Sequence, residues 1–123
     1  MDIDAVGTVW GTAYDGSTDK LYMSSVLKRH AGLGPDGIGA IYVHQDGDAS
    51  SAASVFYDFG TDAGTVANNA TRFPGSGDAF GEVGPCGPCD NIDPSTFGQV
   101  AKVGFGDTEI NPEGNFYHYW DRR

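Results

Sequence analysis

Short runs of alternating apolar and polar residues recur along this 123-residue chain, each bounded by Gly, Asp, Asn or Ser. An alternation with a period of two is typical of β-strands, because successive side chains of a strand point to opposite faces of its sheet. Helical spacing is hard to find. The pattern predicts six strands, at residues 8–14, 20–26, 39–44, 54–59, 100–105 and 116–120.

The strand pattern begins a second time near the end of the chain. Residues 6–15 and 20–24 read as a strand, a polar turn and an aromatic strand, and residues 100–107 and 115–119 repeat that order. We therefore expect an all-β fold of antiparallel meander sheets, with about one and a half blades of a propeller-like repeat.

This pattern also predicts how the chain is divided. A first four-stranded, blade-like sheet is expected over residues 1–59, a long Gly- and Asp-rich loop or insertion over 60–98, and the first strands of an incomplete second sheet over 99–123. A repeat unit cannot bury its apolar faces alone. The expected partners are therefore the remainder of a larger parent protein or copies of the chain itself.

The charge balance restricts the other partners. Seventeen acidic residues against seven basic ones give a formal net charge of −10, which repels nucleic acid phosphates and anionic lipids. We expect no nucleic acid partner. No apolar stretch approaches the length of a membrane span, and the first residues lack the basic and apolar regions of a secretory signal. If the parent protein is exported, its signal is expected outside this chain.

A Cys-Gly-Pro-Cys sequence at Cys86 and Cys89 matches the redox motif of thioredoxins. In that motif a preceding strand and a following helix lower the pKa of the first thiol, and neither is convincing here. Asp90 and Asp93 would raise the pKa of the thiols instead. We favour a structural disulfide or an idle thiol pair, with thiol-disulfide oxidoreductase activity as the alternative function and a zinc site as a weaker one.

Two acidic turns could offer hard oxygen ligands to calcium. Asp15 and Asp19 belong to the first turn, and Asp46 and Asp48 belong to a later one. Their spacing lacks the glycine and the distal glutamate of an EF-hand loop. Because Asp and Gly are also ordinary turn residues, the expectation is no cofactor, with a calcium-dependent binding module as an alternative.

Aromatic side chains are the residues most suited to binding or assembly. They fill the space between sheets in most β proteins, but rings left exposed by a missing neighbour become an adhesive patch. The candidates are Trp10, Tyr14, Phe116, Tyr119 and Trp120. In the loop that follows the second strand, Arg29 and His30 are expected to anchor the loop, with the guanidinium bonding carbonyls or an acidic turn.

Several stretches resemble a known family. Residues 9–15, 20–22, 27–35, 39–43, 78–84 and 103–107 resemble the β-propeller-like region of large bacterial secreted or cell-surface proteins that carry tandem immunoglobulin-like or Sdr-type repeats, and 29–35 is the most specific stretch. The resemblance implies an extracellular or cell-surface location and a role in adhesion, scaffolding or self-assembly. It supplies no catalytic residues, so we expect a non-enzymatic module.

Overall fold

The protein is described by a computed structural model, which covers residues 5–29, 31–47, 52–72 and 95–120, without the side chain of Trp120. Strands are the main regular elements of the described residues. They are β1 (Val9–Asp15), β2 (Lys20–Ser25), β3 (Ala40–Gln45), β4 (Ser54–Asp58), β5 (Phe105–Ile110) and β6 (Phe116–Trp120). The first four form an antiparallel sheet in the order β1-β2-β3-β4, and β5 and β6 form an antiparallel hairpin. The all-β prediction is confirmed.

The β1–β2 turn is closed by its own polar side chains. The Asp15 carboxylate accepts hydrogen bonds from the Ser17 N–H at 2.9 Å, the Ser17 hydroxyl at 2.6 Å and the Thr18 hydroxyl at 2.6 Å. These bonds, that of the Ser17 hydroxyl above all, lower the pKa of Asp15 to about 2. Asp19 ends the turn with a φ of 52°, a conformation that Asp tolerates better than most residues. The predicted hairpin turn therefore has a local physical cause.

The prediction for the fifth strand was wrong. Residues 95–102 form successive turns, in which Val100 N–H donates to the Thr96 carbonyl at 3.1 Å. Ala101 and Gly104 have positive φ values of 62° and 85°, which a continuous strand does not allow. The strand therefore begins at Phe105, where the predicted one ends.

The segment before these turns contains short ordered elements. A 3₁₀ turn spans Gly60–Ala63 and a single α-helical turn, α1, spans Asn69–Arg72. Ala63 is buried in the core, and Val66 packs against it. The part of the predicted 60–98 loop that the structure describes thus contributes to the core, while the division of the chain into three parts stays a prediction.

The sheet and the hairpin share one apolar core. Its larger cluster draws residues from the sheet, the connections and the hairpin: Leu27, Leu33, Ile38, Ile41, Ala63 and Phe105. A smaller cluster contains Val6, Met23, Ala40 and Tyr42. Phe105, fully buried at the start of β5, contacts the ring of Phe59 with centroids 5.3 Å apart. The hairpin is therefore packed on the first sheet.

The backbones of β1 and β5 approach closely at a glycine. A Cβ atom added to Gly11 would lie 2.6 Å from the Thr108 nitrogen and 2.9 Å from the Asp107 carbonyl carbon. Contacts of that length do not occur between a real Cβ and a backbone, so this crossing requires glycine.

No helix in the described part of the chain is long and apolar enough to cross a membrane.

Candidate interaction surfaces

An aromatic seam joins the hairpin to one face of the sheet. The rings of Tyr22 on β2, Phe56 on β4 and Phe116 on β6 meet with centroids 4.5 to 5.1 Å apart. Tyr22 is buried in this seam, whereas Phe56 keeps 45% of its surface exposed. The two ring contacts of Tyr22 are edge-to-face, a geometry that adds to the stabilisation that apolar burial gives. The predicted binding residue Phe116 is thus half-buried within the seam.

Strand β4 is an open edge with exposed apolar side chains. It pairs with β3 on one side, and on its other side no strand of the described part of the chain pairs with it. All five of its residues are exposed, among them Val55, Phe56 and Tyr57. Unpaired N–H and C=O groups beside exposed apolar side chains form a template for another strand. The predicted meander places its fourth strand at an edge of the sheet, which is where β4 lies.

The outer face of the hairpin carries tyrosines opposite carboxylates. Tyr119 lies across from Asp107, and Tyr117 lies across from Glu109. All four side chains are exposed, with about half of each tyrosine accessible. We call these four residues the acid–tyrosine face. The aromatic content of the sequence had already pointed to Tyr117 and Tyr119 as binding residues.

The other predicted aromatic residues belong to β1 and to the last position of β6. Trp10 is 73% exposed on β1. Tyr14, further along the same strand, donates its hydroxyl to the Asp19 carboxylate at 2.9 Å. This hydrogen bond, together with desolvation and the nearby acidic charges, raises the pKa of Tyr14. Trp120 ends β6, and its side chain lies outside the described structure.

The two acidic turns lie side by side at one end of the sheet. Asp46 N–H donates to the Asp19 carbonyl at 2.8 Å, and the Gln45 side-chain amide donates to Thr18 and Asp19 carbonyls at 3.0 and 2.8 Å. Both oxygens of the Asp15 carboxylate already accept hydrogen bonds within its turn. Among the described residues no group of three or more His, Cys, Asp or Glu could hold a metal ion. Asp48 lies outside them.

The loop after β2 is held by residues that sequence reasoning missed. Arg29 is exposed, with its guanidinium 5.3 Å from the centroid of the Phe97 ring. Carbonyls of this loop are instead bound by Arg72, whose buried Nη2 donates to Lys28 at 3.0 Å and Ala31 at 2.9 Å. Asn69 binds Leu33 of the same loop. His30, Cys86 and Cys89 lie outside the described residues.

A small cleft separates the 3₁₀ turn from residues 102–104. Its volume is about 210 Å³, and its charged side chains are Asp62 and Lys102. Sites for drug-sized ligands usually occupy about 300 to 1,000 Å³. This cleft is smaller than such a site.

The fold and these surfaces define an all-β module of two packed antiparallel sheets. No family model and no solved structure matches the chain. Colossin-D of Dictyostelium discoideum is similar to it, with 30% identity over 112 residues that cover 91% of this chain. The same match covers 11% of Colossin-D. The similarity therefore concerns one stretch of a much longer protein.

Proposed function

We propose that this chain is a non-enzymatic β module that joins protein units at a cell surface or outside the cell, as part of a larger propeller-like protein. Its role is scaffolding and self-assembly, in which strand edges pair between copies. The single observation that carries the proposal is the β4 edge, with which no further strand of the described residues pairs and which presents exposed apolar side chains. The match to a short stretch of a long protein supports a modular role.

Pairing through β4 has a simple geometry. Two copies related by a two-fold axis can place their β4 strands antiparallel, which continues the four-stranded sheet into one of eight strands. Such an interface is self-complementary, so each copy supplies the same residues. Val55 and Tyr57 would then lie against their counterparts, which removes apolar surface from water. The net charge of −10 opposes this association, and salt should strengthen it by screening.

The test is sedimentation velocity over a range of protein concentrations. We expect the unchanged chain to form dimers as its concentration rises, and to do so more readily at about 0.5 M salt than at about 0.05 M. Tyr57→Lys places a charge on the β4 edge, a device by which natural edge strands avoid pairing, and should leave a monomer. Tyr14→Lys is the matched control, because Tyr14 is an equally exposed tyrosine on β1, the opposite edge.

Two results would overturn the proposal. One is a chain that stays monomeric at the highest concentrations and at both salt levels. The other is equal loss of dimer in Tyr57→Lys and Tyr14→Lys, which would place the interface elsewhere. Circular dichroism of each variant separates loss of pairing from loss of folding.

The oxidoreductase alternative has its own test. If the chain reduces insulin disulfides and Cys86→Ser abolishes this activity, the result would favour the oxidoreductase instead.

A further inference from the structure

Each tyrosine of the acid–tyrosine face lies opposite a carboxylate, and the proposed pairing through β4 involves none of these four residues. On β5, Asp107 and Glu109 point away from the core, and the residue between them, Thr108, is buried. On β6, Tyr117 and Tyr119 point the same way as their cross-strand partners. Each exposed ring thus lies beside an exposed carboxylate, twice in succession along the hairpin. Directly opposite side chains of this kind lie within about 5.5 Å at their Cβ atoms.

The stretch of chain that carries this face has formal charges of one sign. Residues 105–119 contain Asp107, Glu109 and Glu113, and neither lysine nor arginine. The chain as a whole carries a net charge of −10. A face of this sign attracts cations and raises their rate of encounter. It does not favour a second copy of the same acidic chain.

We propose that the acid–tyrosine face docks a lysine- or arginine-rich extended segment of a partner protein. A cation above a tyrosine ring is attracted by its π-electrons, and the neighbouring carboxylate binds the same cation by charge. Side chains two residues apart in a strand are separated by about 6.8 Å, so the two acid–tyrosine pairs repeat at that distance. An extended segment with a basic residue at every second position has the same repeat and places one cation at each pair.

Saccharides also stack on exposed tyrosines. Stacking of that kind needs no negative field and no carboxylate opposite each ring. The paired carboxylates and the absence of basic residues between 105 and 119 therefore favour the cationic segment.

The test measures binding of a labelled ten-residue peptide of alternating lysine and alanine by fluorescence anisotropy. Asp107→Asn with Glu109→Gln removes both charges, while the Asn side chain keeps the oxygen that accepts from the Thr108 N–H at 2.8 Å. We expect this double variant to raise Kd about 3- to 10-fold at low salt. The matched control, Asp36→Asn with Asp62→Asn, removes two exposed charges elsewhere and should change Kd less than about 2-fold.

The tyrosines are tested separately. Tyr117→Leu with Tyr119→Leu keeps apolar surface but removes the rings, and we expect Kd to rise about 5-fold with an unchanged dependence on salt. Repeating the titration with Tyr57→Lys shows whether this face acts independently of β4 pairing. Peptide binding should persist there even if the assembly proposal fails.

Three outcomes would overturn the proposal. The first is no binding of the lysine peptide at about 1 mM, and the second is equal Kd values for the acid double variant and its matched control. The third is equal binding of a glutamine–alanine peptide of the same length, which would mean that charge plays no part. Displacement of bound peptide by neutral oligosaccharides, but not by salt, would assign the face to saccharides.

Discussion

The Asn69 side chain binds both backbone groups of Leu33. Its Nδ2 donates to the Leu33 carbonyl at 2.7 Å, and its Oδ1 accepts from the Leu33 N–H at 3.0 Å. On the other side of this segment, Leu33 forms an antiparallel bridge with Gly7, and the Thr8 N–H donates to the Gly32 carbonyl at 3.0 Å. The Asn69 amide thus binds the two backbone groups that a neighbouring strand would otherwise bind.

Asn69→Ala should destabilise the protein. Both Leu33 backbone groups would lose their partner in a partly buried place, and we expect a loss of about 1–3 kcal/mol in the free energy of unfolding, measured by urea titration. Hydrogen exchange of the Leu33 amide should also accelerate, because its N–H would no longer be bound.

Asn115→Ala is the control for this change, because Asn115 is an exposed asparagine in the β5–β6 turn. Its free energy of unfolding should stay within about 0.5 kcal/mol of the unchanged chain. Asn69→Asp retains the acceptor but cannot donate to the Leu33 carbonyl, so it should not restore stability. Full stability of Asn69→Ala would contradict the role assigned to the side chain.

Arg72 and Arg29 should differ sharply in their effects on stability. Arg72→Met leaves the carbonyls of Lys28 and Ala31 without the guanidinium that binds them, and we expect a loss of about 2–4 kcal/mol. Arg29→Met removes an exposed cation from the Phe97 ring and should cost about 0.5–1 kcal/mol. Thermal and urea unfolding of both variants check this order. A larger loss from Arg29→Met would support the sequence-based anchor instead.

Stability should fall as the pH drops through the titration of His118. This ring lies among Phe59, Phe105 and Phe116, and burial lowers its pKa below the ordinary value of 6.5. The unfolded chain therefore binds the proton more readily than the folded one. The stability that the neutral His118 ring contributes is therefore fully present above about pH 6.5. It is lost as the pH falls from 6.5 towards the pKa of His118 in the folded state.

His118→Phe should remove this component of the pH dependence while keeping a ring in the cluster. Urea unfolding of both chains from pH 7.5 to 5 is the measurement, and the variant should show the shallower decline. An NMR titration of His118 gives its folded pKa directly. A midpoint above 6.5, or identical pH profiles for the two chains, would show that the folded state does not disfavour the imidazolium.

Local pattern explains why the first sheet could be predicted. Its four strands begin and end within two residues of the predicted positions, because alternation and turn chemistry are both local properties. The Asp15 turn is an example, since the residues that donate hydrogen bonds to its carboxylate, Ser17 and Thr18, lie two and three residues away. The prediction of the fifth strand failed because Val100 and Val103 have the apolar spacing of a strand but are partly buried residues of turns.

Contacts between distant segments could not be predicted in this way. Arg72 binds carbonyls 41 and 44 residues earlier in the chain, and Asn69 binds a residue 36 positions earlier. Neither contact leaves a periodic or compositional signal. The same holds for the acid–tyrosine face, because its register depends on how β5 and β6 pair rather than on either strand alone.

Glycine at position 11 should be required for the packing of the hairpin on the sheet. Gly11→Ala would force a Cβ against the backbone of β5, 2.6 Å from the Thr108 nitrogen, and backbone there cannot rotate away as a side chain can. We expect a loss of about 1–3 kcal/mol in the free energy of unfolding. Gly98→Ala is the matched control, because nothing lies within 4 Å of its added Cβ, and it should be neutral or slightly stabilising. Because the clash lies between β1 and β5, near-ultraviolet dichroism of the aromatic seam should change in Gly11→Ala and not in the control. Equal stability of the two variants would mean that the two sheets are not in close backbone contact.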